Sequence, residues 1–502
     1  MKNALMPTFR PLDPALCYPA LQAKDARFDG RFFVCVTSTG VYCRPICPAR
    51  TPRKEHCTFV ASAAAAEALG FRSCLRCRPE TAPGTPAWSG TQASVARALR
   101  LIEDGALDKG NGSVGALAAR VGMGERQLRR LFVRHVGANP QAVAANRRLL
   151  AAKQLISDTH MPMSEIAFAA GYRSLRRFND AVRANYGMEP MALRRRAAKN
   201  PPGETIALRL GYRPPFDWER LLAYLSMRAI PGIEEIVEGR YRRTFRVAEA
   251  TGIVEAAAIT GRNALEIRIR VQGHAARHTP IRAIAARMRR LFDLDADPAA
   301  IIAAFTGDAL LAPLIGRAAG IRVPGAFDGF ELAVRAILGQ QVSVKGATTL
   351  AGRLVRCCGE ALAAPEGSLT HVFPAPQTLR RTDLSGLGLT GARIATLKAL
   401  AGTLDREELA LEPGASLEGK IAELTALPGI GEWTAHYIAL RALGEPDAFP
   451  SADLGLRKAA GDGTPISAQA LKDMAEAWRP WRGYAALLLW TEPGEAPEGG
   501  AE

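Results

Sequence analysis

The chain has 502 residues, 48% of them hydrophobic, which is enough for three or four domains, each with a packed core. Lys and Arg outnumber Asp and Glu by 65 to 49, and a net charge of +16 favours a polyanionic partner. Met1 to Arg10 lacks the apolar stretch of a secretory signal, and no run approaches the length of a membrane span, so a cytoplasmic protein with no membrane partner is expected.

Residues 1–80 carry the densest chemistry. Cys43-Arg44-Pro45-Ile46-Cys47 and Cys74-Leu75-Arg76-Cys77 are two close cysteine pairs separated by a longer loop. That spacing suits one tetrahedral zinc ion held by four thiolates at about 2.3 Å. On spacing alone such a site is as readily structural as reactive. The other five of the nine cysteines, Cys17, Cys35, Cys57, Cys357 and Cys358, follow no pattern and read as small buried apolar residues rather than disulfides. Phe32 to Val36 reads as a strand, and Ser62 to Leu69 as a serine-capped helix.

The residues around the cysteines closely resemble the N-terminal domain of the Ada methylation-repair and adaptive-response proteins. The stretches concerned are Asp29-Gly30-Arg31-Phe32-Phe33, Thr39 to Pro45 and Gly70 to Pro79. The resemblance implies one zinc ion on Cys43, Cys47, Cys74 and Cys77, with Cys43 accepting a methyl group from a DNA phosphotriester. It also implies backbone contacts to DNA from Thr39, Arg50 and Arg72. Pro48 stands where the family often has a basic residue. Four thiolates on one Zn2+ carry 2 − 4 = −2, and methylating Cys43 changes this to −1. Methylation is therefore expected to strengthen DNA binding by electrostatics alone.

Thr81 to Gly90 is rich in Pro and Gly and reads as a linker. Residues 91–198 read as helical with an internal repeat. Leu117 to Gly122 leads into Gln127 to Phe132 and ends at Gly137-Ala138-Asn139-Pro140. Ile166 to Tyr172 leads into Leu175 to Phe178 and ends at Gly187-Met188-Glu189-Pro190. Each unit is a helix, a glycine turn and an arginine-rich helix, which is a helix-turn-helix. Arg129, Arg130, Arg134, Arg173, Arg176 and Arg177 are expected to face outward. A long helix around Gln141 to Ser157 joins the units. The pair resembles the AraC-type DNA-binding domain, which implies DNA contacts from Arg129, Arg130, Arg176 and Arg177; the plain alternative is a helical bundle with charged faces.

After a second linker at Lys199 to Gly203, residues 204–318 read as an α+β unit. Strands are expected at Thr205–Tyr212, Thr244–Ala248, Gly252–Thr260 and Leu265–Val271, and helices at Asp217–Arg228 and Ile281–Phe292. Residues 319–490 read as mainly helical, and 491–502 as a disordered tail. Leu427-Pro428-Gly429-Ile430-Gly431-Glu432-Trp433 reads as a glycine hairpin between helices, suited to presenting Gly429 and Gly431 backbone to a DNA phosphate. Asp453 precedes a helix, where a carboxylate is commonly an N-cap.

Leu210 to Trp218 resembles the N-terminal, TBP-like domain of AlkA-type glycosylases. The hairpin together with Phe449-Pro450-Ser451-Ala452-Asp453 resembles the AlkA branch of the helix-hairpin-helix DNA glycosylases, over nearly all of 204–490. The fold class expected is thus multidomain and mainly α: a small α/β zinc domain, an all-α double helix-turn-helix domain, an α+β TBP-like domain and an all-α glycosylase domain. The resemblance implies that Asp453 is catalytic and that Trp433, Tyr437, Trp490 and Gln340 line a base pocket. Gln341 stands where the family has an apolar wedge. Trp433 occupies the place of the lysine used by strand-cutting relatives, so a monofunctional enzyme is expected. No cysteine cluster follows Asp453, so an iron–sulfur cluster is not expected. No Pro-Cys-His-Arg motif is present in these 502 residues, so the alkylguanine methyltransferase activity of full-length Ada is not expected.

The expected whole is a monomer acting on double-stranded DNA: a zinc methyl sensor, a transcription activator that meets RNA polymerase, and a DNA-3-methyladenine glycosylase II. The alternative is a regulator whose glycosylase half only binds DNA.

Overall fold

The computed structural model describes residues 12–84, 91–108, 112–196, 205–272, 280–412 and 416–490. Most of both linkers, the start of the chain and the tail at 491–502 lie outside the described residues.

Helix α1 (Pro14–Gln22) opens the chain and strands β1 (Phe33–Val36), β2 (Val41–Cys43) and β3 (Cys57–Val60) follow. Ser62 caps α2 (Ala63–Ala68) by accepting from the Ala65 N–H, as its position before an alanine run predicts. Strand β4 (Arg72–Ser73) completes a sheet of order β3-β1-β2-β4, antiparallel except for the β2–β4 pair. That parallel pairing places the end of β2, at Cys43, next to the turn that begins at Cys74.

Seven helices follow: α3 (Thr91–Glu103), α4 (Val114–Arg120), α5 (Glu125–Val136), α6 (Pro140–Asp158), α7 (Met163–Ala169), α8 (Leu175–Tyr186) and α9 (Pro190–Arg196). Helices α5 and α8 both end on left-handed glycines, Gly137 at φ 76° and Gly187 at φ 65°, where a side chain would be strained. Helix α6 joins the two helix-turn-helix units, with Asn139 as N-cap and Pro140 in the first turn.

Strand β5 (Ile206–Gly211) and helix α10 (Trp218–Ser226), capped by Asp217, precede β6 (Glu234–Val237), β7 (Arg240–Val247), β8 (Ala250–Ala258) and β9 (Ala264–Gln272). The five strands form an antiparallel sheet of order β5-β9-β8-β7-β6. The short edge strand β6 was not among the expected strands; its polar Glu234-Glu235 start gives no strand signal until it pairs with β7. Helix α11 (Ile281–Leu291) covers the sheet, and α12 (Pro298–Phe305) and α13 (Leu311–Arg317) follow.

The C-terminal region contains α14 (Gly329–Leu338), α15 (Val344–Cys358), a hairpin of β10 (Glu360–Glu366) and β11 (Leu369–Val372), α16 (Pro376–Arg381), α17 (Gly391–Asp405), α18 (Leu417–Thr425), α19 (Glu432–Arg441), α20 (Leu454–Ala460), α21 (Ala468–Ala475) and α22 (Arg482–Leu489). The hairpin is an addition to the all-α expectation: Pro365 and Gly367 hide the alternation, and its register shifts between Ala361 and Glu366.

The cores are not confined to single units. One continuous cluster runs from Leu149, Phe178 and Tyr186 of the helical repeat into Leu208, Phe245 and Ile267 of the five-stranded sheet. Helix α3 also docks on the C-terminal region. Arg97 donates to both carboxylate oxygens of Glu445 at 2.8 and 3.0 Å, and Arg100 donates to the Leu443 carbonyl at 2.7 Å. The Arg97–Glu445 pair is buried, so removing one partner would strand a charge at a cost of about 3–5 kcal/mol.

Candidate metal centre and candidate active site

The Sγ atoms of Cys43, Cys47, Cys74 and Cys77 lie within 4.8 Å of one another, and all four residues are buried. A tetrahedral zinc with bonds of about 2.3 Å requires sulfurs roughly 3.8 Å apart, so the cluster fits one ion. The Arg44 and Arg76 backbone N–H groups donate to the Cys77 and Cys74 sulfurs, each at 3.4 Å, which favours thiolates there.

Arg44 ties the two cysteine turns together. Its guanidinium is buried, donates from Nε to Asp29 at 2.8 Å, and reaches the Cys77 carbonyl at 3.2 Å and Thr81 Oγ1 at 2.7 Å. Nothing in the cysteine spacing marks Arg44 or Asp29 as a clamp. Thr39, Arg50 and Arg72 are all exposed around the cluster, as contacts to DNA would need. Behind it, Lys153 of α6 donates to the Cys74 carbonyl at 2.9 Å and to Glu80 at 2.8 Å, and Ser73 shares a hydrogen bond with the Tyr186 hydroxyl at 2.8 Å. The metal turn is thus bolted to the helical repeat. Among the remaining cysteines, Cys17, Cys35 and Cys358 are buried, with burial pushing the Cys35 thiol up to about 12. Cys357 is exposed and Cys57 half-buried, which corrects the expectation that all five are interior.

In the helical repeat Leu128, Leu131 and Phe132 of α5 and Phe178 and Val182 of α8 are buried. Arg130, Arg134, Arg173, Arg176 and Arg177 are exposed. Arg129 is half-buried, donating to Glu125 at 2.9 Å and to Gln141 at 2.7 Å.

The second centre is a cavity of about 410 Å³ between α10 and the C-terminal helices. Trp433 and Tyr437, one turn apart on α19, stack with ring centroids 5.2 Å apart and an interplanar angle of 10°. Trp490 and Asp453 line the same cavity. Asp453 is both N-cap and site residue: Oδ1 accepts from the Leu456 N–H at 2.9 Å and from Trp490 Nε1 at 3.1 Å, and Oδ2 accepts from Trp433 Nε1 at 2.7 Å. The carboxylate is 4% exposed, so the cap function and the two indoles fix it at the cavity wall.

The approach to Asp453 is held from behind. The Phe449 N–H donates to His436 Nδ1 at 3.2 Å. Burial holds the His436 imidazole down at about 4, with Arg482 and Lys472 adding to the effect, so it stays neutral and accepts.

Gly429 adopts φ +82°, and a Cβ there would meet Thr396 Oγ1 at 2.0 Å, so the hairpin needs glycine at this position. Gly431 is the N-cap of α19, and both glycines are exposed. Gln340 is not among the residues lining the cavity, which corrects the base-pocket expectation for it. Its amide nitrogen is occupied by the Gly429 carbonyl at 2.9 Å and Thr434 Oγ1 at 3.1 Å, making it a brace for the hairpin. Gln341 is exposed at φ 54°, a left-handed turn position.

Several wall residues carry no signal in the sequence. Tyr224 and Arg228 come from the α+β unit, whose sequence shows no chemistry of its own, and Arg335 and Arg441 come from α14 and α19. Arg335 is balanced by Glu234 at 2.8 Å. Burial would raise the Glu234 carboxyl, but Arg335 and Arg243 outweigh it and hold it at about 2. Arg441 donates to the hydroxyls of Tyr224 at 2.6 Å and Tyr437 at 2.5 Å.

Three family models match the chain: the metal binding domain of Ada over residues 16–80, a helix-turn-helix domain over 117–196 and the AlkA N-terminal domain over 207–328. The chain is 45% identical to the probable bifunctional transcriptional activator/DNA repair enzyme AlkA of Mycobacterium tuberculosis, over 95% of both chains. It is 35% identical to the DNA-3-methyladenine glycosylase 2 of Escherichia coli, over 58% of this chain and 98% of that protein. It is 37% identical to the bifunctional transcriptional activator/DNA repair enzyme Ada of Escherichia coli, over 25% of this chain and 33% of that protein. No helix among the described residues is long and apolar enough to cross a membrane. With an Ada-type zinc centre, a double helix-turn-helix and an AlkA-type glycosylase region in one polypeptide, the chain belongs to the family of bifunctional transcriptional activator/DNA repair enzymes of the AlkA type.

Proposed function

We propose that this protein hydrolyses the N-glycosidic bond of alkylated bases in double-stranded DNA, of the 3-methyladenine and 7-methylguanine class, and that it does not cut the strand. The observation that carries this reading is the Asp453 carboxylate, fixed by two indole N–H groups in the wall of an aromatic cavity. A base must leave the stack to enter such a cavity. Trp433, Tyr437 and Trp490 present electron-rich faces to an electron-poor, cationic base. As the bond breaks, its electron pair leaves with the base and positive charge grows on the sugar, beside Asp453. The carboxylate stabilises that charge and orients the attacking water. Gly429 and Gly431 hold a DNA phosphate, and no lysine stands at position 433 to form a Schiff base. Purified protein incubated with methylated DNA is expected to release free methylpurines and leave abasic sites uncut. No release would reduce the C-terminal half to a DNA-binding module.

The N-terminal reading stands beside it because the four sulfurs fit zinc. Bound zinc keeps the thiols deprotonated at neutral pH. The Cys43 sulfur attacks the methyl carbon of a DNA phosphotriester, a C–S bond forms, the C–O bond breaks, and a phosphodiester anion leaves. Thr39, Arg50 and Arg72 hold the DNA backbone, and Arg129, Arg130, Arg176 and Arg177 hold promoter DNA. The methylated form activates transcription through RNA polymerase, as a monomer in the cytoplasm. Transfer of radiolabelled methyl from methylated DNA to the chain, absent in Cys43→Ser, tests this.

A further inference from the structure

We propose that Arg97, on helix α3 of the activator half, is a positioning residue for base excision: through Glu445 it fixes the loop that leads to Asp453. This rests on the role given to Asp453 above.

Helix α3 faces two ways. Val95, Ala98 and Ile102 belong to the buried core of the first helix-turn-helix unit, together with Leu128 and Phe132. Arg97 and Arg100, three residues apart and so on one face of the helix, reach out of that core to the C-terminal half. Arg97 donates to both oxygens of Glu445, and Arg100 donates to the carbonyl of Leu443. Gly444, at φ +62°, lets the second guanidinium in close, since a Cβ there would lie 3.1 Å from Arg100 Nη1. A paired guanidinium and carboxylate with two parallel hydrogen bonds fix direction as well as distance. Among the described residues no other ion pair reaches the buried Glu445 carboxylate.

The turn at Glu445 has no slack. Its own N–H donates to the Ala439 carbonyl at 3.0 Å, and its carbonyl accepts from the Ala448 N–H at 3.1 Å. The Gly483 N–H, in the first turn of α22, donates to the Pro446 carbonyl at 2.7 Å. A Cβ on Gly483 would meet that oxygen at 2.8 Å and Leu440 Cδ1 at 2.3 Å. A displaced turn therefore moves α22 with it. Two routes lead from the turn to the site. The loop runs through Phe449, held by His436, to Asp453. Helix α22 ends at Trp490, whose indole donates to Asp453 Oδ1 at 3.1 Å. Without Arg97 the Glu445 carboxylate is buried with no counter-charge, and it turns towards water and takes the turn along. Catalytic geometry tolerates little of this, because a 1 Å misplacement costs up to about 10²-fold in rate. Arg97 does not line the cavity, so it acts on the reaction only through what it holds.

The test uses the full-length zinc-loaded protein and duplex DNA carrying one 7-methylguanine. In Arg97→Met the single-turnover rate at saturating enzyme is expected to fall about tenfold, while the enzyme concentration giving half that rate changes by less than about twofold. Arg97→Met combined with Glu445→Met leaves no stranded charge, so it stays informative if the single variant fails to fold. This double variant is expected to melt close to the wild type and still to release the base about tenfold more slowly, because apolar contact carries no direction. In protein carrying isotope-labelled tryptophan and free of DNA, the indole N–H signals of Trp433 and Trp490 are expected to shift in both variants. Their loss in Trp433→Phe and Trp490→Phe identifies them. Recovery of the wild-type rate together with the wild-type melting temperature in the double variant would reduce the pair to a fold contact and overturn the proposal. Unmoved indole signals overturn it as well. So does a loss confined to the half-saturating concentration, which would assign Arg97 to DNA binding. A wild type that releases no base brings down the base-excision reading itself, an outcome told apart because the indole signals are read without DNA.

Discussion

The zinc centre draws all four ligands from between Cys43 and Cys77, and one small sheet with two tight turns brings them together. The cavity around Asp453 draws its wall from Tyr224 to Trp490, across two units that meet only in the folded chain. The first is a local device whose residues are wasted unless a metal gathers them. The second is a long-range device whose residues all have structural duties as well: Asp453 caps α20, Trp433 stacks on Tyr437, and Arg441 braces the Pro324 carbonyl. Loss of the metal is therefore expected to act on folding, and loss of the Asp453 charge chiefly on chemistry.

The largest effect expected is from Asp453→Asn. Release of alkylated bases should fall about 10³-fold, because the charge facing the developing cation is gone. The asparagine oxygen still caps the helix, but its NH2 faces the Trp433 Nε1–H that Oδ2 accepted, so the melting temperature should fall modestly, by an amount corresponding to about 1–3 kcal/mol, while the chain stays folded. Near wild-type release would break the contrast by showing that this carboxylate is only a cap. At the other centre, zinc chelation is expected to remove several kcal/mol from the N-terminal unit, seen as an earlier unfolding transition on heating. The C-terminal transition should survive, and a single unchanged transition would show that the ion contributes no folding energy.

A pH series separates the two further. The His436 imidazole sits at about 4 in the folded protein against an ordinary 6.5. The unfolded chain therefore binds the extra proton between those values, so this contribution to stability is complete above pH 6.5 and is lost as pH falls towards 4. Urea unfolding should show a slope of at most about 1.4 kcal/mol per pH unit from this group, flattened in His436→Asn. An unaltered slope in that variant would remove His436 from the support of the Asp453 loop. The smallest effect expected is on the helical repeat. Arg176→Ala or Arg177→Ala should lower the slope of log affinity against log salt by about one for each phosphate that the variant no longer neutralises. No change in slope for either would take both arginines off the DNA.

Which of these groups could be read in advance follows from the same contrast. Cys43, Cys47, Cys74 and Cys77 are visible because their spacing is itself the constraint. The two helix-turn-helix units are visible because their apolar periodicity and their glycine ends, Gly137 and Gly187, repeat. Asp453, Trp433, Tyr437 and Trp490 could be picked out only through the family pattern, yet they do converge on one cavity. Gln340 illustrates the limit. Its neighbours in sequence approach the site, but its side chain turns to the Gly429 carbonyl, and nothing in a linear pattern encodes a side-chain direction. Strand β6 and the β10–β11 hairpin escaped for a related reason, since short strands with Glu, Pro and Gly gain their stability from pairing rather than from propensity.

The amino-acid order alone determined the composition of the machine: a basic chain, a four-cysteine cluster, a doubled helix-turn-helix, and a glycine hairpin followed by an aspartate. These are short-range features, fixed by spacing, period and turn chemistry. Tertiary structure decided how they are joined. It set the core shared by the helical repeat and the five-stranded sheet, the Arg97–Glu445 contact against the loop before Asp453, and the Tyr224–Arg441–Tyr437 group in the cavity wall. Each depends on side chains far apart in the chain meeting where water is excluded, and only there do single hydrogen bonds and single charges become strong enough to select one arrangement.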